Sequence, residues 1–193
     1  MNIIIITPCS RPENLPKLLA SINFPCRWVI VFDSSVNYFA HCAKFADISW
    51  VHTMYKVSKP SWGKPQVNAA LDLIQFFYSD AWIYVLDDDN IMHPDFFDKL
   101  NSWDNRMSLK MKDRAIVFGQ LLPDESIRPQ KNIFPGHIDQ GQFLVHTSII
   151  GNNRYIENCY EADGHFIDTL YKENKDLFVF SNHVISYYNF LTK

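Results

Sequence analysis

Asp87, Asp88 and Asp89 stand consecutively, ahead of Asn90 and directly after the apolar run Trp82-Ile83-Tyr84-Val85-Leu86. That run is short, continuous and rich in β-branched and aromatic residues, the pattern of a buried strand. Three carboxylates at a strand's carboxyl end repel one another unless positive charge sits among them. A divalent cation supplies that charge, and hard oxygen donors select Mg2+ or Mn2+ over softer metals. Such ions take one or two protein carboxylates and fill their shell with water and substrate phosphates. The cluster therefore predicts a phosphate-bearing ligand as well as a metal. The competing account is a solvated acidic turn in which Asp88 or Asn90 serves as a cap.

The elements that must position these acids follow from periodicity. Residues 3–7 form a strongly apolar first strand, ended by Pro8 and followed by Cys9-Ser10-Arg11-Pro12. Leu15, Leu18, Leu19 and Ile22 then recur at helical spacing. Residues 28–32 predict a second buried strand closed by Asp33-Ser34-Ser35, with a helix near 38–45 and a strand near 48–52 after it. Ala69, Ala70, Leu73, Ile74 and Phe77 give an apolar helix face over 67–77, leading into the Trp82 strand. Alternating strand and helix predict an α/β fold with a mostly parallel central sheet flanked by helices. In such sheets ligands bind outside the carboxyl ends of the strands, where residues 7–11, Asp33 and the acidic cluster all fall. The second half predicts helices over 94–103 and 161–171 and strands over 115–119 and 141–147. Proline-punctuated residues 122–136 predict a loop.

The 193 residues predict a single domain with a sizeable core. A formal charge of −3, without a long basic run, argues against a nucleic-acid surface. Cys9, Cys26, Cys42 and Cys159 are scattered without a CxxC pair, and residues 1–6 lack a basic start, so reduced thiols and a cytoplasmic setting are expected. No apolar run is long enough to cross a bilayer.

In this order and spacing the motifs resemble the GT-A glycosyltransferases, most closely the inverting family 2 type. Ile5-Ile6-Thr7-Pro8-Cys9-Ser10-Arg11-Pro12 is similar to that family's first strand and nucleotide loop. Val29-Ile30-Val31-Phe32-Asp33-Ser34 is similar to its second strand, the segment from Gly63 to Asn68 to its stretch ahead of the acidic strand, and Leu86-Asp87-Asp88-Asp89-Asn90-Ile91 to its DXD signature. The resemblance covers roughly residues 3–100. It implies a single Rossmann-like GT-A domain, residues 1–100 binding a nucleotide sugar and 101–193 binding the acceptor beside a small antiparallel element. It further implies a UDP-sugar donor and a glycan or glycoconjugate acceptor. Asp33 would meet the uracil edge, while Thr7, Pro8, Arg11 and Asn68 would frame the base and diphosphate. Asp89 would ligate the metal, with Asp87 and Asp88 on the ribose or on metal-bound water and Asp87 a second candidate ligand. Val67 stands where the family often has arginine, so Lys64 or Arg11 is expected to supply that charge.

Breaking a sugar–diphosphate bond leaves negative charge on the nucleotide, which a cation stabilises. An acceptor hydroxyl also needs a base near neutral pH. In Glu161-Ala162-Asp163-Gly164-His165 the resemblance implies Asp163 as that base and Glu161 as its alternate, with helix capping the competing account. His183 is a possible late metal ligand, though a lone histidine beside a strand is more often structural. Lys59, Trp62, Lys64 and the segment Asp139-Gln140-Gly141-Gln142 are candidate diphosphate or acceptor contacts. Three alternatives stay open. A sugar-nucleotidyltransferase would want a glycine-rich first loop, which residues 7–12 lack. An aspartyl phosphatase would want its acids on the first strand. A non-catalytic sugar-nucleotide or carbohydrate-binding module would not require Asp163.

Overall fold

β1 (Ile3–Cys9) is buried at every position, the expected state of a strand covered by helices on both faces. The structure is a computed structural model describing residues 1–56, 62–107, 114–129, 131 and 133–192, with side chains described outside 102–107. After β1 come α1 (Leu15–Ser21), β2 (Arg27–Phe32), α2 (Tyr38–Cys42), β3 (Val51–Tyr55), α3 (Lys64–Phe77), β4 (Trp82–Val85), β5 (Ile91–Met92) and α4 (Phe96–Met107). The second half supplies β6 (Ala115–Leu121), β7 (Ile127–Arg128), β8 (Phe143–His146), α5 (Thr147–Ile150), α6 (Ala162–Glu173) and β9 (Phe178–Tyr187).

One sheet runs in the order β3-β2-β1-β4-β8-β6-β9-β5, with β7 paired to β6. Strands β1 to β4 are mutually parallel. Beyond them the sheet is more mixed than the small antiparallel element expected, since β8 runs antiparallel to both β4 and β6 while β9 is parallel to β6. Alternate side chains feed two cores. Ile4, Ile6, Val31 and Val85 pack with Val67, Ala70 and Ile74 of α3 and with Phe166, Ile167 and Leu170 of α6. Ile3, Ile5, Ile30 and Tyr84 pack with Leu15 and Leu18 of α1 and with Phe96 and Leu100 of α4. Each fully buried Ile, Leu or Phe contributes about 1.5–3 kcal/mol, so the double coverage is the main force holding the strand ends in register.

Three boundaries differ from sequence expectation. α3 starts at Lys64, where Gly63 makes a left-handed turn and Pro65 occupies the first turn, a combination that fits proline at a helix start. β3 begins at Val51 because residues up to Ile48 close a turn, with the Val51 amide donating to the Ile48 carbonyl. The expected loop over 122–136 contains β7, which hairpins back so that Arg128 pairs with Gln120 of β6.

The topology decides what reaches the active edge. β8 is antiparallel to β4, so the chain just before it, Gln140–Gln142, lies beyond the carboxyl end of β4. β6 and β9 point the same way as β4, bringing Arg128, Tyr188 and Asn189 to the same side.

Candidate active site

The carboxyl ends of β2, β1 and β4 lie side by side, with the Leu86 amide donating to the Ile6 carbonyl and the Asp33 amide to the Cys9 carbonyl. At this edge opens a cavity of about 510 Å³ whose lining includes Pro8, Arg11, Asp33, Asp87, Asp88, Asp89, Asp139, Glu161 and Asp163. Three cations, Arg11, Lys64 and Arg128, share the lining with these seven carboxylates. The acid excess makes the cavity a cation-attracting site, because charge of one sign in a low-dielectric cleft focuses the field.

The three consecutive aspartates have separate surroundings. Asp88 turns inward. Its Oδ2 accepts from the backbone N–H of Ser10 at 2.6 Å and of Arg11 at 2.7 Å, and Oδ1 accepts from Arg11 Nε at 2.9 Å. Arg11 Nη2 meets the same Oδ1 at 2.6 Å, so two charged N–H donors converge on one carboxylate oxygen. Asp88 thus ties the loop after β1 to the end of β4 while still lining the cavity. Asp89 accepts from the same Arg11 Nη2 at 2.8 Å through Oδ2, and no bond to its Oδ1 is found among the described residues. Burial raises its pKa, Arg11 opposes that, and Asp88 adds to it. Asp87 takes the Gln140 side-chain amide on Oδ1. Burial first and Asp139 second push its carboxyl well above the usual range, against the pull of Lys64.

Lys64, 3% exposed, is the buried counter-charge. Its ammonium pairs with Asp163 and donates to Gln140 Oε1 at 3.2 Å. It also lies 5.4 Å from the centre of the Tyr155 ring. Burial alone would lower its pKa, but Asp163 and Asp87 more than offset that and hold it raised. Asp163, in the first turn of α6, shifts upward to about 6. An ion pair ordinarily lowers a carboxyl, but here burial and Asp139 outweigh Lys64 and a backbone bond from Gln140. Glu161, the residue preceding α6, is exposed and lines the same cavity.

Other expected residues separate into those at the cavity and those away from it. Pro8, Arg11 and Asp33 are there. Asp33 Oδ1 accepts from the Ser35 amide at 2.7 Å, which fixes the turn after β2. Thr7 is fully buried beneath the edge, its Oγ1 accepting from the Trp28 indole at 2.9 Å. Asn68 is also behind the cavity, where it exchanges two 2.9 Å bonds with the Tyr155 backbone. Both hold the wall and do not line the cavity. His183 is exposed on β9 and away from the acids, so it is not gathered with Asp87 and Asp89. Lys59 lies outside the described residues.

Two glycines set the cavity's walls. A Cβ on Gly63, at φ +77°, would stand 2.7 Å from Pro8 Cβ, so only glycine lets α3 begin against the end of β1. A Cβ on Gly164 would meet Pro135 Cα at 2.4 Å, so its absence seats the first turn of α6 under the 133–137 loop.

Sequence reading undervalued Asp139 and missed Arg128 and Tyr188. Asp139 closes a capping box with Gln142 and accepts from Gln120 Nε2 at 3.0 Å. Its D-x-x-Q spacing was the available signal. Arg128 stacks 4.3 Å over the Tyr188 ring, a pairing with no local sequence mark.

Among the described residues no group of three or more His, Cys, Asp or Glu is placed to hold a metal unaided. The donor set nevertheless fits an ion of the magnesium type, which needs one or two carboxylates when phosphates supply the rest. Asp89 Oδ1 has no bond among the described residues, Asp87 stands beside it, and the lining holds more acid than base.

No protein-family model and no curated protein matches the sequence. Solved structures do match. S. aureus TarS 1-349 superposes with a TM-score of 0.72 at 15% identity, covering 97% of this chain and 60% of that one. A longer S. aureus TarS structure gives 0.70 at 12% identity, with 97% and 36% covered. HddC from Yersinia pseudotuberculosis gives 0.52 at 13% identity, with 95% and 90% covered. The fold is GT-A-like. At such identities the fold is what these proteins share, and the chain spans well under two thirds of the longer TarS structure and 60% of the shorter. No helix among the described residues is long and apolar enough to cross a membrane.

Proposed function

We propose that this chain is a glycosyltransferase that moves a sugar from a UDP-sugar to a hydroxyl of a glycan or glycoconjugate, with inversion. One observation carries the reading: Arg11, Asp33, Asp87, Asp89 and Asp163, drawn from four segments of the chain, line one cavity at the carboxyl edge of a GT-A-like sheet. Glycosyltransferase-like neighbours among solved folds support it.

In this reading Asp33 hydrogen-bonds the uracil edge beyond β2. The diphosphate crosses the ends of β1 and β4, near Arg11. Asp89, with Asp87 beside it, would hold Mn2+ or Mg2+, which stabilises charge on the leaving diphosphate as a Lewis acid. Asp163 takes the proton from the acceptor hydroxyl as that oxygen attacks. With a pKa of about 6, it is largely ionised at neutral pH yet basic enough to accept a proton, the compromise that favours a general base. Lys64 orients it and holds it in the ionised form. Glu161 is the alternate base, more exposed and without the lysine.

Asp163→Asn tests the reading. It should leave UDP affinity unchanged while sugar transfer drops about 10²- to 10⁴-fold, the usual worth of positioned proton abstraction. Full transfer by Asp163→Asn together with its loss in Glu161→Gln would exchange the two roles. Full transfer by both would remove the base from this helix. Nucleotidyltransferase-like folds also stand among the neighbours, so a second reading, a sugar-nucleotidyltransferase, is checked in the same assay. It would release pyrophosphate from a nucleoside triphosphate in place of UDP from a UDP-sugar.

A further inference from the structure

The cavity mouth carries two large rings that neither core uses. Trp62 is 60% exposed and Tyr160 70% exposed, yet both line the cavity. Their ring centres lie 5.8 Å apart at an interplanar angle of 78°. Trp62 stands two residues before Lys64, and Tyr160 three before Asp163, so the rings meet on the two segments that bring the buried Lys64–Asp163 pair together.

Trp62 also has φ 51°, in the left-handed region. A bulky residue there is an outlier that costs on the order of 1–3 kcal/mol. The turn continues through Gly63 at φ +77°, wedged against Pro8. Within the described residues the strained indole packs in a T-shaped contact with Tyr160 but, 60% exposed, finds no further ring partner among them. A ligand covering the ring would supply one, since exposed aromatic surface beside a polar cleft is where binding recovers apolar area.

We infer that Trp62 and Tyr160 form a stacking platform for a pyranose ring of the acceptor. The inference rests on the glycosyltransferase reading and deepens it. The partner's chemistry follows from the surroundings. Asp163 and Glu161 beside the rings suit hydroxyls, and the acid excess of the cavity disfavours an anionic acceptor. A neutral sugar ring, apolar on its C–H face and hydroxylated at its edge, fits both features. An acyclic polyol offers hydroxyls but no flat face for the rings.

The test follows the Trp62 indole N–H signal by NMR in the UDP-loaded protein during titration with cellotriose, maltotriose, chitotriose or sorbitol. At least one trisaccharide should shift the signal, and sorbitol should not. Trp62→Ala and Tyr160→Ala should each weaken trisaccharide binding, followed by calorimetry, about tenfold, equivalent to ~1.4 kcal/mol. UDP affinity should hold, and Trp62→Phe should recover most of the loss. Unchanged trisaccharide binding in Trp62→Ala overturns the platform, as does equal binding of sorbitol. Hydrolysis of UDP-sugar by a parent protein that binds none of the trisaccharides overturns the platform and spares the glycosyltransferase reading. A parent that neither binds UDP nor hydrolyses any UDP-sugar overturns both.

Discussion

Replacing Asp88 by Ala should cripple the fold of the active edge before it affects chemistry. Asp88 is 2% exposed and accepts from two backbone amides, at 2.6 and 2.7 Å, and from the Ser10 hydroxyl at 3.1 Å. Its Oδ1 also accepts from Arg11 Nε and Nη2. An amide left without an acceptor costs about 1–3 kcal/mol when buried. The Arg11 arm deserves a discount, since its side chain is 38% exposed and water can take over part of the pairing. Two amides plus a reduced ionic contribution give about 3–5 kcal/mol, within the range for breaking a buried pair. For a chain of this size each kcal/mol moves the melting temperature by about 2–4 °C, so a fall of roughly 6–20 °C is expected. Scanning calorimetry of parent and variant measures it. UDP binding should vanish as well, because Ser10 and Arg11 lose their anchor. A variant that melts within about 2 °C of the parent while losing UDP would refute the argument and return Asp88 to the role of a ligand contact.

Three further outcomes are expected. Asp89→Asn should leave the melting temperature nearly unchanged yet abolish the gain in UDP affinity that Mn2+ gives over a chelator; calorimetry with and without Mn2+ measures both. The pH profile of sugar transfer should fall on the acid side near pH 6, where Asp163 protonates, and Lys64→Met should move that limb upward by removing the ammonium. The stability contribution has the opposite sense: a carboxyl raised from 3.8 to about 6 favours the folded state most below pH 3.8 and loses that contribution as pH climbs to about 6, visible as a declining melting temperature over that interval. Gly63→Ala should destabilise by about 1–3 kcal/mol through positive φ and the Pro8 clash, read in a denaturant melt.

What the sequence disclosed and what it withheld divide along the range of the interactions involved. β1, β2, β4 and the acidic cluster were legible because a parallel strand buried on both faces is written as an unbroken apolar run, and a ligand edge as the polar residues that end it. The same reasoning put Arg11, Asp33, Asp87 and Asp89 at one edge, the family resemblance added Asp163, and all five line one cavity. It could not say which way each side chain turns. Asp88 and Asp89 are chemically identical neighbours, yet one faces the Ser10–Arg11 loop and the other keeps an oxygen without a bond among the described residues, a difference set by pairings across more than 70 residues. Thr7 and Asn68 sit in the expected segments, but the indole of Trp28 and the Tyr155 backbone claim them. Arg128 and Tyr188 meet only because β7 hairpins onto β6 and β9 runs parallel to β6, a register no local window contains.

Lys64 carries the argument furthest. The sequence suggested a charge for a diphosphate, whereas the fold seals that ammonium against Asp163 and Gln140. A lysine so placed is poorly available to a phosphate and well placed to govern a carboxylate. The same burial that would drive Lys64 towards its neutral form raises Asp163 and Asp87. Removing the ammonium would leave these acids without their nearest buried counter-charge, and in a medium of low dielectric they would relieve the repulsion by binding protons. An Asp163 held protonated at neutral pH cannot accept one from an acceptor hydroxyl. In the proposed glycosyltransferase the cavity would therefore use two kinds of cation: one built into the chain, which would keep the base ionised, and one brought with the donor, which would meet the charge that develops on the leaving group.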